Sequence, residues 1–480
     1  MASNSDALSP GDAWSPGFFA FAEGSQTMIF RLLTVFLLGV GTIGSGFASD
    51  APTPYAFVNV NVLPMDSEIV LTSQTVVIED GRIGKIGPVD EIQLPPNTRK
   101  IRADGLYLMP GLAEMHAHIP GLADDSNLDR MLFLYIAHGV TVVRGMLGEP
   151  GHLDLRRQLS LGHRLGPQLF TSGPSLNGRS VNGPMDAANK VRQQHAAGYD
   201  FIKLHPGLSL REFRTIDRVA DDLGIPYAGH VGLSIGVAEA LRLGQASIDH
   251  LDGYLQALVP EGTGYPETAN RMFGLGLAKL VDETRIQSLA KATAKARVWI
   301  VPTQTLLEHW ALPPAAAEMS RRPEMAFIPA TTVASWTNSK NAIINDPSYD
   351  RAAAERFIAL RRKLIKALHD QGAGLLLGAD TPQVFNVPGI ATHQELELLV
   401  ASGLTPYEAL RTGTVNPARY FGAEDQFGRV REGLSAELIL LEGNPLADIT
   451  NTRKIRGVML KGQWLDREQI SQGLAFWAIQ

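Results

Sequence analysis

The stretch Pro110-Gly-Leu-Ala-Glu-Met-His116-Ala-His118 decides how the rest of this chain is read. Side chains on a strand alternate between its two faces, so residues two apart share one. His116 and His118 therefore present two imidazoles on the same side of a short apolar run, and both can reach one metal ion. A lone His-x-His is a weak signal, and its weight comes from what recurs downstream. Runs at 112–118, 140–146, 168–172, 201–205, 227–231, 247–251, 299–303 and 375–380 read as strands, with helical segments between them. One such helix places Phe213, Ile216, Val219, Ala220 and Leu223 on one face, with Gly224 where a C-terminal cap belongs. Eight strand–helix units in about 300 residues predict a (β/α)8 TIM barrel over 111–420.

The expected strand ends carry the chemistry. The fourth ends Lys203-Leu-His205, the fifth at His230, the sixth at His250 and the eighth at Asp380. Barrel enzymes place their reactive groups at that end of the strands, so these residues and the first histidine pair are potential ligands in one ring. Arg144 at the end of the second strand, His205 at the rim and Tyr254 just past the sixth strand are candidates for substrate contact. The chain has no cysteine, which excludes disulfides, thiolate nucleophiles and thiolate zinc sites. Its formal net charge of -6 shows no basic footprint for nucleic acid.

The set His116-x-His118, Lys203, His230, His250 and Asp380 resembles the amidohydrolase superfamily. It is most similar to the branch in which a carboxylated lysine bridges two metals, alongside imidazolonepropionase-related proteins and Xaa-Pro dipeptidases. The tail extends the resemblance through Gly403-Leu-Thr-Pro-Tyr-Glu-Ala-Leu410, Asn416-Pro-Ala418 and Gly433-Leu-Ser-Ala-Glu-Leu438. Two departures stand out: Glu114 precedes the histidine pair where the family more often has Asp, and Glu437 stands where it usually has Asp. The resemblance implies that His116, His118 and Asp380 hold one divalent ion and that His230 and His250 hold a second. Lys203, carboxylated by carbon dioxide, would bridge them. Zinc suits such a nitrogen–oxygen donor set, with manganese, cobalt and nickel as alternatives. It further implies a C–N bond hydrolase that attacks amides with a hydroxide shared by the metals, Asp380 serving as ligand and as general acid/base. Dipeptides or N-acyl amino acids are the expected substrates. Cyclic amide, lactone or ester hydrolysis and one-metal deamination stay open as alternatives. A non-catalytic relative is disfavoured because all six ligand positions are filled.

Both ends of the chain differ from its middle. Tyr55–Val62, the segment around Asp80-Gly81, and the segments around 436–441 and 455–464 read as short strands and hairpins. They predict a small β-sandwich assembled from 49–110 and 421–480. Further upstream, Met28-Ile-Phe-Arg31 precedes the apolar run 32–40, and small residues lead to Ala48. This is the layout of a signal peptide with translation starting at Met28. The expectation is an exported periplasmic or extracellular protein with no membrane span after cleavage. Self-association into a homo-oligomer is left open.

Overall fold

Two tight turns sit where the sequence places them. In the computed structural model, which describes residues 53–479, Asp80 and Gly81 both take positive φ, as do Lys461 and Gly462. That pair of left-handed residues is the hairpin turn whose twist matches its flanking strands. The two turns also abut: a Cβ on Gly81 would lie 3.0 Å from the Lys461 carbonyl oxygen, so position 81 needs glycine on two counts.

The strands in chain order are Tyr55–Val62 (β1), Leu71–Glu79 (β2), Arg82–Pro88 (β3), Arg99–Arg102 (β4), Tyr107–Pro110 (β5), Leu112–Ala117 (β6), Val140–Gly145 (β7), Gln168–Thr171 (β8), Ile202–Leu204 (β9), Tyr227–Gly229 (β10), Ser247–Asp249 (β11), Trp299–Val301 (β12), Leu438–Leu441 (β13), Ile455–Leu460 (β14) and Gln463–Asp466 (β15). Eight of them form one sheet in the order β15-β14-β13-β5-β1-β2-β3, with β4 pairing β1. The ends of the chain meet where β13 runs antiparallel to β5, Leu438 opposite Pro110. Phe57, Val62, Val76 and Leu108 share a buried core with Leu438 and Met459, which is what holds the composite sheet together. Hydrogen bonding joins these strands into a single branched sheet; β1 splits its pairing between β4 and β5.

The middle of the chain supplies parallel strands in two sheets, β6-β7-β8 and β12-β11-β10-β9. Every residue of β6 and β7 is buried, as expected of strands covered on both faces. Isolated parallel bridges link Ser172 with Phe201, Ile300 with Leu375 and Ala117 with Thr381. Seven of the eight expected strands are present. The eighth, 375–380, lacks a regular ladder. The Leu377 N–H donates to the Thr412 carbonyl at 2.9 Å rather than to a neighbouring strand, and Asp380 turns to φ 60. The ladder therefore does not run unbroken around a ring.

Helix Leu210–Leu223 shows why the intervening segments are helical. Ser209 and Glu212 form a reciprocal capping box, Gly224 closes the other end in the left-handed conformation, and Phe213, Ile216, Val219 and Ala220 are buried. Among the described residues no helix is long and apolar enough to cross a membrane. The signal-peptide reading of residues 1–48 lies outside the described residues.

Candidate active site

Three ligand atoms converge where β6 ends. His116 is the last residue but one of that strand, His118 follows it, and Asp380 lies just past Gly378-Ala379. One atom from each of the three lies within 4.8 Å of the others. His118 Nε2 is 3.2 Å and His116 Nε2 3.8 Å from Asp380 Oδ1. His250 Nε2 is 3.9 Å from the other carboxylate oxygen. The His250 ring centroid lies 4.6 Å from that of His116 and 4.7 Å from that of His230. Five of the expected ligands thus form one continuous cluster.

Supporting groups fix the histidines from behind. His230 Nδ1 is 2.6 Å from Asp252 Oδ2. The carboxylate requires a proton on Nδ1 and leaves the Nε2 lone pair free, the arrangement that orients metal-binding histidines. His250 Nδ1 pairs with the Thr303 hydroxyl at 2.8 Å. Arg361, fully buried, donates to the carbonyl oxygens of His250 and Pro302 at 2.6 Å each. Such support is needed because His250, Thr303 and Asp380 all have left-handed φ values of 61°, 48° and 60°, strain that persists only where the surroundings over-determine it.

Glu114 ties the two ligand-bearing segments together. Its Oε1 accepts the backbone N–H groups of His116 at 3.1 Å and Ala379 at 2.8 Å, and its Oε2 accepts the Thr392 hydroxyl at 2.8 Å. Burial pushes this carboxyl up to about 8.

Charge in the cluster is set mainly by desolvation. Burial, reinforced by Lys203 and neighbouring histidines, brings His118 down to about 3 and holds His116 and His250 well below the usual imidazole range. All three are neutral near pH 7, with lone pairs to offer. Burial raises Asp380 to about 7 against the pull of Lys203. Lys203, fully buried, is lowered by burial while Asp249 opposes the shift, with Nζ 3.5 Å from Asp249 Oδ2.

The donor set fits a divalent cation. Although His118 Nε2 lies 3.2 Å from Asp380 Oδ1, the pair is not aligned as a hydrogen bond. His116 Nδ1, 3.2 Å from Asp249, is likewise buried without a hydrogen-bond partner. Buried acceptors left facing one another are costly unless a cation or proton joins them.

A family model for the amidohydrolase family matches residues 107–465. The chain belongs to the amidohydrolase family. It is similar to ochratoxinase from Aspergillus niger, 24% identical over 432 residues, covering 81% of each chain. It is also similar to imidazolonepropionase from Kosmotoga olearia, 24% identical over 392 residues and covering 78% of this chain and 86% of the relative. Among solved structures, a Xaa-Pro dipeptidase with bound methionine superposes with a TM-score of 0.62 at 18% identity, over 86% of this chain and all of that one. The protein is a hydrolase acting on carbon–nitrogen bonds.

Residues outside the ligand set are placed differently from expectation. Arg144, a candidate for substrate contact, lies wholly inside this amidohydrolase. Its guanidinium donates to the Met115 carbonyl oxygen at 2.7 Å, to Ser247 and Tyr420 hydroxyls at 2.9 Å and to Asp249 at 3.3 Å. Tyr254 is also fully buried, its hydroxyl 2.8 Å from that of Thr293. The helical turn that starts after left-handed Gly253 carries it into the core. His205 stays at the site, its ring 4.9 Å from that of His230. Two residues of the site have no role in the sequence reading. Asp249 contacts His116, Lys203 and Arg144, and the Ile248-Asp-His250 run was its only trace. The Phe273 ring lies 5.0 Å from that of His250, tilted against it, and 6.3 Å from that of His230, nearly parallel to it.

Proposed function

We propose that this amidohydrolase holds two divalent cations, zinc by donor type, and cleaves the amide bond of dipeptides or N-acyl amino acids. His116, His118 and Asp380 hold one ion, His230 and His250 the other, and Lys203 bridges them once carboxylated. The convergence of His116, His118 and Asp380 on one point carries this reading. Bound there, divalent ions acidify water and polarise a carbonyl group. The chain's own residues supply the rest. Asp380, raised to about 7 by burial, is matched to taking a proton from water on its carboxylate and returning it to the departing nitrogen. His205 lies beside His230, within reach of a substrate polar group. Phe273 gives the site an apolar wall, which suits a substrate with an apolar side chain. The two parallel sheets, joined through residues 375–381, support a closed (β/α)8 barrel, and the buried core that the two chain ends share, Phe57, Val76 and Leu108 with Leu438 and Met459, supports a β-sandwich. The segment 28–48 supports an exported protein, periplasmic or extracellular; N-terminal sequencing that finds residues 32–40 retained would refute cleavage after Ala48.

A one-metal centre is the second reading. It is favoured by the pairing of Lys203 with Asp249 rather than with the histidines. Elemental analysis of protein purified with bicarbonate, with and without Lys203→Ala, separates the two. About two ions per chain, falling in the variant, supports the lysine-bridged site. About one ion, unchanged by the variant, refutes it and moves the substrate screen to deamination and cyclic amides.

A further inference from the structure

We propose that a cavity of about 430 Å³, lined by Arg297, Arg411 and Arg419, is a binding site for a small polyanion, separate from the histidine cluster. Trp299 and Leu375 also line it. They begin β12 and the 375–381 segment, whereas Thr303 lies past the far end of β12 and Asp380 at the far end of 375–381. The cavity and the histidines therefore sit at opposite ends of the parallel strands.

Three arginines lining one hollow suit carboxylate or phosphate, which guanidinium groups bind in a two-pronged geometry. The acid that shares the cavity is already committed. Glu408 lies 3.0 Å from His369 Nε2 and accepts the Thr405 N–H at 2.8 Å. Among the described residues Arg419 pairs with Glu424 alone, at 3.4 Å, in a pair about half exposed on both sides. Arg411 lies over the Tyr407 ring. Among the described residues Arg297 has no ion pair or side-chain hydrogen bond. Its backbone makes it the more telling residue. Arg297 closes helix Ile286–Ala296 at φ 58°, ψ 25°, a left-handed cap that glycine fills without strain. The sequence therefore keeps a cation where the backbone favours glycine, beside two other arginines. Trp299 forms one wall, and Gly374 is what lets it lie there: a Cβ at 374 would come within 2.2 Å of the indole. Three cationic side chains line the hollow, so the ligand class is an anion with at least two charged groups.

Isothermal titration of the whole protein with pyrophosphate and, separately, with citrate tests this. We expect saturable one-to-one binding of at least one probe, weakened roughly tenfold or more by Arg297→Gly and by Arg411→Gln. Arg297→Lys should fall between. Tighter pyrophosphate binding identifies a phosphate ligand, and tighter citrate binding a polycarboxylate. Because glycine relieves the left-handed cap, Arg297→Gly should melt no lower than the parent, so lost binding is not lost folding. The proposal is overturned if neither probe titrates. It is equally overturned if both charge-removing variants bind as tightly as the parent, which would put the anion at the histidine cluster.

Discussion

Glu114 offers a quantitative test of how the site is held. Replacing it with alanine removes three hydrogen bonds at once and strands two buried backbone donors, the N–H groups of His116 and Ala379. A stranded buried donor costs about 1–3 kcal/mol, so the two together cost roughly 2–6 kcal/mol. The vacated space adds to that. Against a total stability on the order of 5–15 kcal/mol, this is a large fraction. Because the two donors belong to the segments that carry His116 and Asp380, metal affinity should fall about 10–100-fold as well, the usual range for supporting residues. Glu114→Gln makes the opposite prediction. Its amide oxygen still accepts both N–H groups and its NH2 donates to the Thr392 hydroxyl, so stability should change by less than about 1 kcal/mol. Urea unfolding paired with metal titration of both variants measures this. An alanine variant as stable and as metal-retentive as the parent would refute the reasoning. So would a glutamine variant as damaged as the alanine one.

Other consequences are open to measurement. Asp380→Asn should lower turnover about 10²–10⁴-fold with an unchanged circular dichroism spectrum; activity within tenfold of the parent would remove Asp380 from proton transfer. Phe273→Ala should raise KM several-fold for substrates with apolar side chains, about 1 kcal/mol of lost contact, with kcat nearly constant; equal effects on polar substrates would count against an apolar wall. Glu437, buried in the composite sheet, is raised by burial from 4.5 to about 7, with Lys461 opposing. An acid raised on folding contributes stability that is fully present below pH 4.5 and is lost as pH climbs through 7. The parent should therefore lose about 3 kcal/mol more than Glu437→Gln between pH 4.5 and pH 8, and parallel unfolding curves would disprove it.

What the sequence made legible was periodic. His116 and His118 both reach Asp380, as residues two apart in an extended run should, and the turns at Asp80-Gly81 and Lys461-Gly462 follow from residue type. What it concealed lies where regularity stops. Asp249 and His250 are adjacent, and strict alternation would send them to opposite faces. The left-handed φ of His250 brings both against His116. Residues 375–380 have the composition of a strand but give their N–H at 377 to Thr412. Met272 and Phe273 are both left-handed without being glycine, and no periodicity announces that an aromatic ring will stack on the histidines. Arg144 and Tyr254 are buried and bonded inside the protein for a related reason. Nearness to a strand end says which layer a side chain occupies, and its hydrogen-bond partners say whether it is free.

The composite sheet also imposes an order of assembly. Residues 107–110 leave synthesis long before their partners at 438–441 exist. Until then β5 is an open edge, its outward N–H and C=O groups free to template pairing with another chain. Closing so long a loop adds only logarithmically to the entropic cost, so the delay costs little in final stability and much in exposure. A chain cut short before Leu438 would retain the parallel strands and every residue of the histidine cluster, and would still carry an adhesive border. The segment from Leu438 onward acts as a seal on Tyr55–Pro110, and loss of that seal should be felt first as aggregation rather than as missing chemistry.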